Sequence, residues 1–332
     1  SRISPETEAV VQTIPAPGGP AGIAVGGGGV WVANSLGGSV TQRSSIEPLQ
    51  PRRRWKHLVP LALGALALLG GGFAIGRWVG GSGGRGAAGS VPSSFQQMTD
   101  LPGEERQAQI GPTGTAFVFV GDASGNPDIY LQRVGGRNPI NLTSDSPAAD
   151  TAPAFSPDSE RVAFRSDRDG GGIFVMGSTG ESVKRLTDFG YDPAWSPDGK
   201  QIVFSSGDGQ NPWSRDVLAQ LWVVPSSGGE VRQLTQGGDA VQPSWSPGGR
   251  RIAFWGLRSD SGQRDLWTIP ADAAGQPVPV EVTSDPAVDW NPVWAPDGAT
   301  IACLSDRGVD SDLSSMTGLW MMAPDGTGRR QL

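Results

Sequence analysis

The chain has 332 residues with 50 Gly and 28 Pro, a density of helix breakers that excludes a helical domain and favours an all-β one. Residues 1 to 90 hold 8 Lys/Arg against 3 Asp/Glu, leaving 18 against 30 in residues 91 to 332; so acidic a main body excludes nucleic-acid binding by that part, since phosphates need a basic surface. One cysteine, Cys303, and one histidine, His57, exclude an intrachain disulfide and a Cys-based zinc cluster. They leave no ready Ser-His-Asp arrangement, and no cofactor is implied.

In chain order, residues 1 to 42 come first, with "GGPAGIAV" and "VWVAN" as marks. They resemble one repeat of the virginiamycin B lyase-like and YncE-like propellers. One repeat cannot close a ring, so the strip reads as an isolated propeller-type repeat, a fragment. It holds no His, and the lyase activity of that family is not carried over.

A basic juxtamembrane linker, 43 to 57, carries Arg52, Arg53, Arg54 and Lys56. Leu58 to Gly76 then runs 19 residues without a charge, about the length that crosses a ~30 Å hydrocarbon core. Residues 58 to 80 therefore read as a single transmembrane helix, with Trp55 and Trp78 at its interfaces. The basic flank keeps the N-terminus cytoplasmic and places everything after Gly80 on the periplasmic or extracellular side of the cytoplasmic membrane. Gly72, Gly76 and Gly80 stand at four-residue spacing, which suits a homodimer through that helix. Residues 81 to 94 are a Gly/Ser-rich spacer.

From residue 95 the chain repeats one phrase: "AQIGPTGTAFVFV", "PAFSPDSERVAF", "PAWSPDGKQIVF", "PSWSPGGRRIAF" and "PVWAPDGATIAC". Their aligned prolines, Pro112, Pro157, Pro197, Pro247 and Pro296, step by 45, 40, 50 and 49 residues. Such periods with β character mean propeller blades. Pro, Asp and Gly in "SPDG" suit the successive positions of a type I turn linking strand A to strand B. The residue two before each proline is Ile110, Phe155, Trp195, Trp245 or Trp294, a large side chain that fills the gap between blades. Apolar stretches such as "LWVVPS" follow as strand C, and "NLT", "RLT", "QLT" or "EVT" close each unit as strand D. Blades are expected near 101–145, 146–188, 189–236, 237–284 and 285–332. "FQQMTD" at 95 to 100 reads as one more D strand, so five repeats are present and a sixth blade belongs to the intact ring. A five-bladed ring in which Phe95 to Thr99 displaces the last strand is the alternative.

These phrases resemble the TolB-like β-propellers, a tryptophan-aspartate-like repeat family. The stretch 95–332 is similar to the propeller that some bacteria attach, through one membrane helix, to a serine/threonine kinase or winged-helix regulator. The resemblance implies a membrane-anchored extracytoplasmic sensory or interaction domain binding a protein, peptide or cell-wall ligand. Alternatives are the propeller accessory of a prolyl oligopeptidase-type hydrolase and a TolB-like envelope module. No catalytic residue is expected within the chain. The D-to-A and long B-to-C loops share one rim, and Asp150, Tyr191, Asp192, Trp213, Arg215, Asp239, Asp289 and Trp290 on them are the candidate ligand-binding residues. "SDRD" at Asp167 to Asp169 and "SDRG" at Asp306 to Gly308 read as ion pairs between blades rather than metal ligands.

Overall fold

The computed structural model describes the backbone strands at 2–3, 10–12, 20–26, 29–34, 39–44 and 95–97, and residues 97–209, 212, 218–257, 261–272, 278–307 and 318–332 in full. Two short strands, β1 (Arg2–Ile3) and β2 (Val10–Gln12), pair with each other. Next come β3 (Pro20–Gly26), β4 (Gly29–Asn34), β5 (Ser39–Ser44) and β6 (Phe95–Gln97). Blade one is β7 (Glu105–Ile110), β8 (Ala116–Gly121), β9 (Asp128–Arg133) and β10 (Ile140–Asn141). Blade two is β11 (Asp150–Phe155), β12 (Arg161–Ser166), β13 (Gly172–Gly177) and β14 (Lys184–Arg185). Blade three is β15 (Tyr191–Trp195), β16 (Gln201–Ser205), β17 (Leu221–Pro225) and β18 (Arg232–Gln233). Blade four is β19 (Val241–Trp245), β20 (Arg251–Leu257), β21 (Arg264–Pro270) and β22 (Val280–Glu281). Blade five is β23 (Asp289–Trp294), β24 (Ile301–Ser305), β25 (Gly318–Met322) and β26 (Arg330–Gln331). Each blade is a four-stranded antiparallel meander, so the fold is an all-β five-blade propeller.

The repeated phrase becomes a repeated register. Ile110 faces Phe117, Phe155 faces Val162, Trp195 faces Ile202, Trp245 faces Ile252 and Trp294 faces Ile301. Between them the expected turn forms in all five copies: the Gly199 N–H donates to the Ser196 carbonyl at 2.9 Å, and equivalent bonds close the other four. Asp198 Oδ1 accepts from Ser196 Oγ at 2.6 Å and from the Lys200 N–H at 3.1 Å; these bonds hold its carboxyl below the usual range. The fourth turn position has a positive φ, which Gly adopts freely; "SPDS" puts Ser159 there at +65°.

Strand B is buried on both faces as a sandwiched sheet requires: Phe117 to Val120, Ile202 to Phe204 and Ile301 to Leu304 are fully covered. The outer D strands are two residues each, which leaves little free edge. Their threonines lock D to C, with the N–H groups of Ile129, Ile173, Leu221 and Leu266 donating to the Oγ1 of Thr143, Thr187, Thr235 and Thr283 at 2.9–3.0 Å. Thr283→Val should cost about 1–3 kcal/mol, because a fully buried donor and the Asp265 carboxylate lose a partner. A urea midpoint measures it.

The expectations for the N-terminal third need correction in one respect. Residues 20 to 44 do not stand as an isolated repeat: β3, β4 and β5 form a four-stranded sheet with β6 in the order β3-β4-β5-β6. Thr41, Gln42 and Arg43 pair with Gln97, Gln96 and Phe95. Strand β3 lies against β7 of blade one and against β23 and β24 of blade five, so this sheet occupies the gap between the first and last blades. Strand β6 is its D strand, and blade five keeps its own in β26. The span expected at 58–80, with Gly72, Gly76 and Gly80, lies outside the described residues. Among the described residues no helix is long and apolar enough to cross a membrane.

Candidate binding site at the central channel

Rim residues marked by the sequence are mostly drawn into the fold. Asp150, fully buried, pairs with Arg168 at 2.8 Å; Asp289, also fully buried, pairs with Arg307 at 3.0 Å. Burial pushes both carboxyls up despite their arginine partners. Arg307 also holds Asp285 at 2.6 Å, and Arg329 reaches the same carboxylate. Burial opposes that charge, yet the two guanidiniums and the Ala287 N–H outweigh it and hold Asp285 below its ordinary value. The "SDR" arginines thus pair within a blade, reaching back to the first residue of their own strand A, not between blades as expected. Asp239 is buried and accepts from the N–H groups of Ala219 at 2.7 Å and Leu257 at 3.2 Å, bracing two loops. Trp290 belongs to the core cluster shared by blades four and five. Tyr191 is half-buried beneath the Arg165 guanidinium, 5.0 Å from its ring centre. Trp213 and Arg215 lie outside the described residues.

Asp192 alone of the described set faces the channel. That channel is a cavity of about 330 Å³ lined by the inner strands of all five blades. Each inner strand breaks its ladder once, at Gln107/Ala108, Ala152/Pro153, Asp192/Pro193, Gln242/Pro243 and Asn291/Pro292. The first residue of each pair has a positive φ, between 48° and 52°. Non-glycine residues held there cost on the order of 1–3 kcal/mol each, and such strain gathers where a surface is shaped for use. The result is a ring of Gln107, Ala152, Asp192, Gln242 and Asn291, one per blade. Gln107 Oε1 accepts from the Ala152 N–H at 3.0 Å across the blade boundary, and Gln242 Oε1 accepts from Trp255 Nε1 at 2.6 Å. Asp192 Oδ2 accepts from the Gly209 N–H at 3.3 Å. Among the described residues Asp192 is the single charged one of the lining, and the surface they form is polar and rich in carboxamides.

Below this ring the large residues of the phrase lie at the boundaries between blades. Trp195 Nε1 donates to the Ala154 carbonyl of blade two at 2.9 Å, and Trp245 Nε1 to the Ala194 carbonyl of blade three at 3.2 Å. Phe155, Trp195, Trp245, Trp294, Pro157 and Pro197 line the lower channel. Pro247 and Pro296 are the corresponding turn prolines of blades four and five.

The bulge ring was missed at the sequence level, although a signal exists. Proline two residues before the aromatic, in "APAF", "DPAW", "QPSW" and "NPVW", cannot donate to a ladder and marks a bulge or an edge. Chemically, the ring offers hydrogen-bonding side chains and backbone released from pairing, without a nucleophile. Cys303 is fully buried in β24, where burial and the nearby Asp289 push its thiol well above its ordinary value.

The sequence model of the TolB β-propeller domain matches residues 92–276. The Tol-Pal system protein TolB of Anaeromyxobacter dehalogenans is 37% identical over 102 residues, covering 31% of this chain and 21% of that protein. Among solved structures, TolB from Acinetobacter baumannii superposes with a TM-score of 0.58 at 22% identity, over 72% of this chain and 56% of that one. A puromycin hydrolase superposes with a TM-score of 0.56 at 16% identity, over 95% of this chain and 47% of the other. The chain thus matches about a fifth of the curated TolB relative's length.

Proposed function

The chain belongs to the TolB β-propeller family, and from that premise we propose that it is a non-catalytic protein-interaction module whose channel takes an extended segment of a partner protein. The observation that carries this reading is the ring of five register-matched bulges, which presents strained, unladdered backbone and carboxamides around one axis. Main-chain hydrogen bonding of an extended peptide gives affinity with little demand on sequence. The Tol-Pal assembly named for its relative fits such a role, as does an extracytoplasmic location.

Photo-crosslinking tests it. A crosslinker at Asn291 should join a partner polypeptide through an extended stretch, while one at the outer-strand Lys184 should not. Ala152→Trp, which adds bulk at a position already holding a Cβ, should abolish the adduct. Equal capture at both positions rejects the reading.

A second reading, the propeller accessory of a hydrolase, is favoured by the puromycin hydrolase likeness, which extends over nearly the whole chain. An adjoining domain with a Gly-x-Ser-x-Gly elbow in the intact protein would decide for it. The anchored sensor of a kinase or regulator draws support only from the apolar stretch at 58–80. A single membrane crossing there would put β5 and β6 on opposite sides of a bilayer, whereas they pair in one sheet. That pairing favours the first two readings.

A further inference from the structure

The blade boundaries are built alike, so each shows what the next lacks. In each of three successive boundaries the turn glycine of one blade sits over the turn proline of the blade before: Gly199 over Pro157, Gly249 over Pro197 and Gly298 over Pro247. At the boundary of blades two and three, Arg161 begins strand B and lays its guanidinium over Trp195, 4.6 Å from the ring centre, with Nη2 3.5 Å from the Gly199 carbonyl. Trp195 is only 7% exposed.

At the boundary of blades three and four the place of Arg161 is taken by Gln201, and that of Asp198 by Gly248, around which a Cβ would meet nothing. No cation among the described residues stacks on Trp245, which stays half-buried. A cavity of about 620 Å³ opens there, running from Trp245, Pro197 and Gly249 outward to Asp198, Asp272 and Arg232. Two exposed carboxylates face one exposed guanidinium on its rim. At the following boundary Arg251 turns to Thr268 instead, and Trp294 is only 7% exposed all the same. Of the three tryptophan-bearing boundaries, one is open.

We infer that this inter-blade cavity is a binding site for an arginine side chain of a partner polypeptide, its guanidinium stacking on Trp245 and donating to the Gly249 carbonyl as Arg161 does on Trp195 and Gly199. A planar cation gains from the indole face and from a fixed donor fork, where an ammonium gains only the charge. Asp198 and Asp272 add attraction at the rim, and Arg232, at its outer end, opposes it. The site lies outward from the bulge ring and does not depend on the channel reading.

The test uses the full chain and the indole N–H resonances of its tryptophans. Titration with N-acetyl-arginine methylamide should shift the Trp245 signal and leave Trp195 in place; the lysine analogue should shift it less. Gln201→Arg, which supplies the missing guanidinium from within, should abolish the shift. Arg161→Gln should open a second site, so that Trp195 moves as well. An unmoved Trp245, equal response to both analogues, or a shift that survives Gln201→Arg overturns the inference. Because arginine is already accommodated at the equivalent place in blade two, Gln201→Arg is compatible with the fold, and Arg161→Gln provides an independent arm.

Discussion

Trp195→Ala should lower the stability of the propeller by about 3–5 kcal/mol, the range for emptying a buried tryptophan site. The ring fills the seam of blades two and three against Ala154, Ile173, Phe204 and Val224. Its loss also strips the Ala154 carbonyl of its indole donor and Arg161 of its stacking partner. Trp195→Phe keeps most of the packing and loses the hydrogen bond, for a smaller cost near 1–3 kcal/mol. Trp245→Ala should cost less than Trp195→Ala, since Trp245 already borders an open cavity. Urea midpoints for the three variants give the order. A loss for Trp195→Ala no greater than that for Trp245→Ala would show that the seam is not packed as described.

Asp150→Ala should cost a similar 3–5 kcal/mol, because it leaves Arg168 largely buried without its close partner. Asp145, 3.9 Å from Arg168 and exposed, is a weak substitute. The pair need not stabilise the fold for its rupture to be expensive: burial raises the Asp150 carboxyl, so its charged form is less favoured in the folded chain than in water. The sign of the pH dependence follows. Glu105, Asp150 and Asp289 all have raised folded values, chiefly from burial; the folded state holds their protons more tightly, and stability falls as pH rises through the interval between unfolded and folded values. Asp285 is lowered, with stability present above the ordinary carboxylate range near ~4 and lost as pH falls through its folded value. Thermal midpoints should therefore fall as pH rises through the raised values of Glu105, Asp150 and Asp289, and fall at the acid end as pH drops through the lowered value of Asp285. Asp150→Asn should flatten the upper limb, and a curve unchanged in that variant would remove Asp150 from this account.

How much of this was legible from the chain alone differs by level. The turn "SPDG" announces itself because Pro fixes one dihedral and Gly permits another, so local chemistry specifies the hairpin before any packing exists. Strand B reads correctly because apolar residues on both faces have only one stable setting, between two other sheets. The rim carboxylates misled because a sequence shows charge but not depth. Asp150 and Asp289 look like ligand-seeking loop ends until Arg168 and Arg307, 18 residues downstream in each case, fold back onto them.

The sequence by itself determined the repeat, its turn geometry and the hairpin register, since all depend on interactions within about fifteen residues. Tertiary structure decided the rest. It placed residues 20 to 44 in a sheet with 95 to 97, turned five ladder breaks into a ring, and left one seam open where Gln201 replaces an arginine. Those features exist only between blades or across long chain separations, where pairing is set by closure of the ring and by which neighbour covers which face.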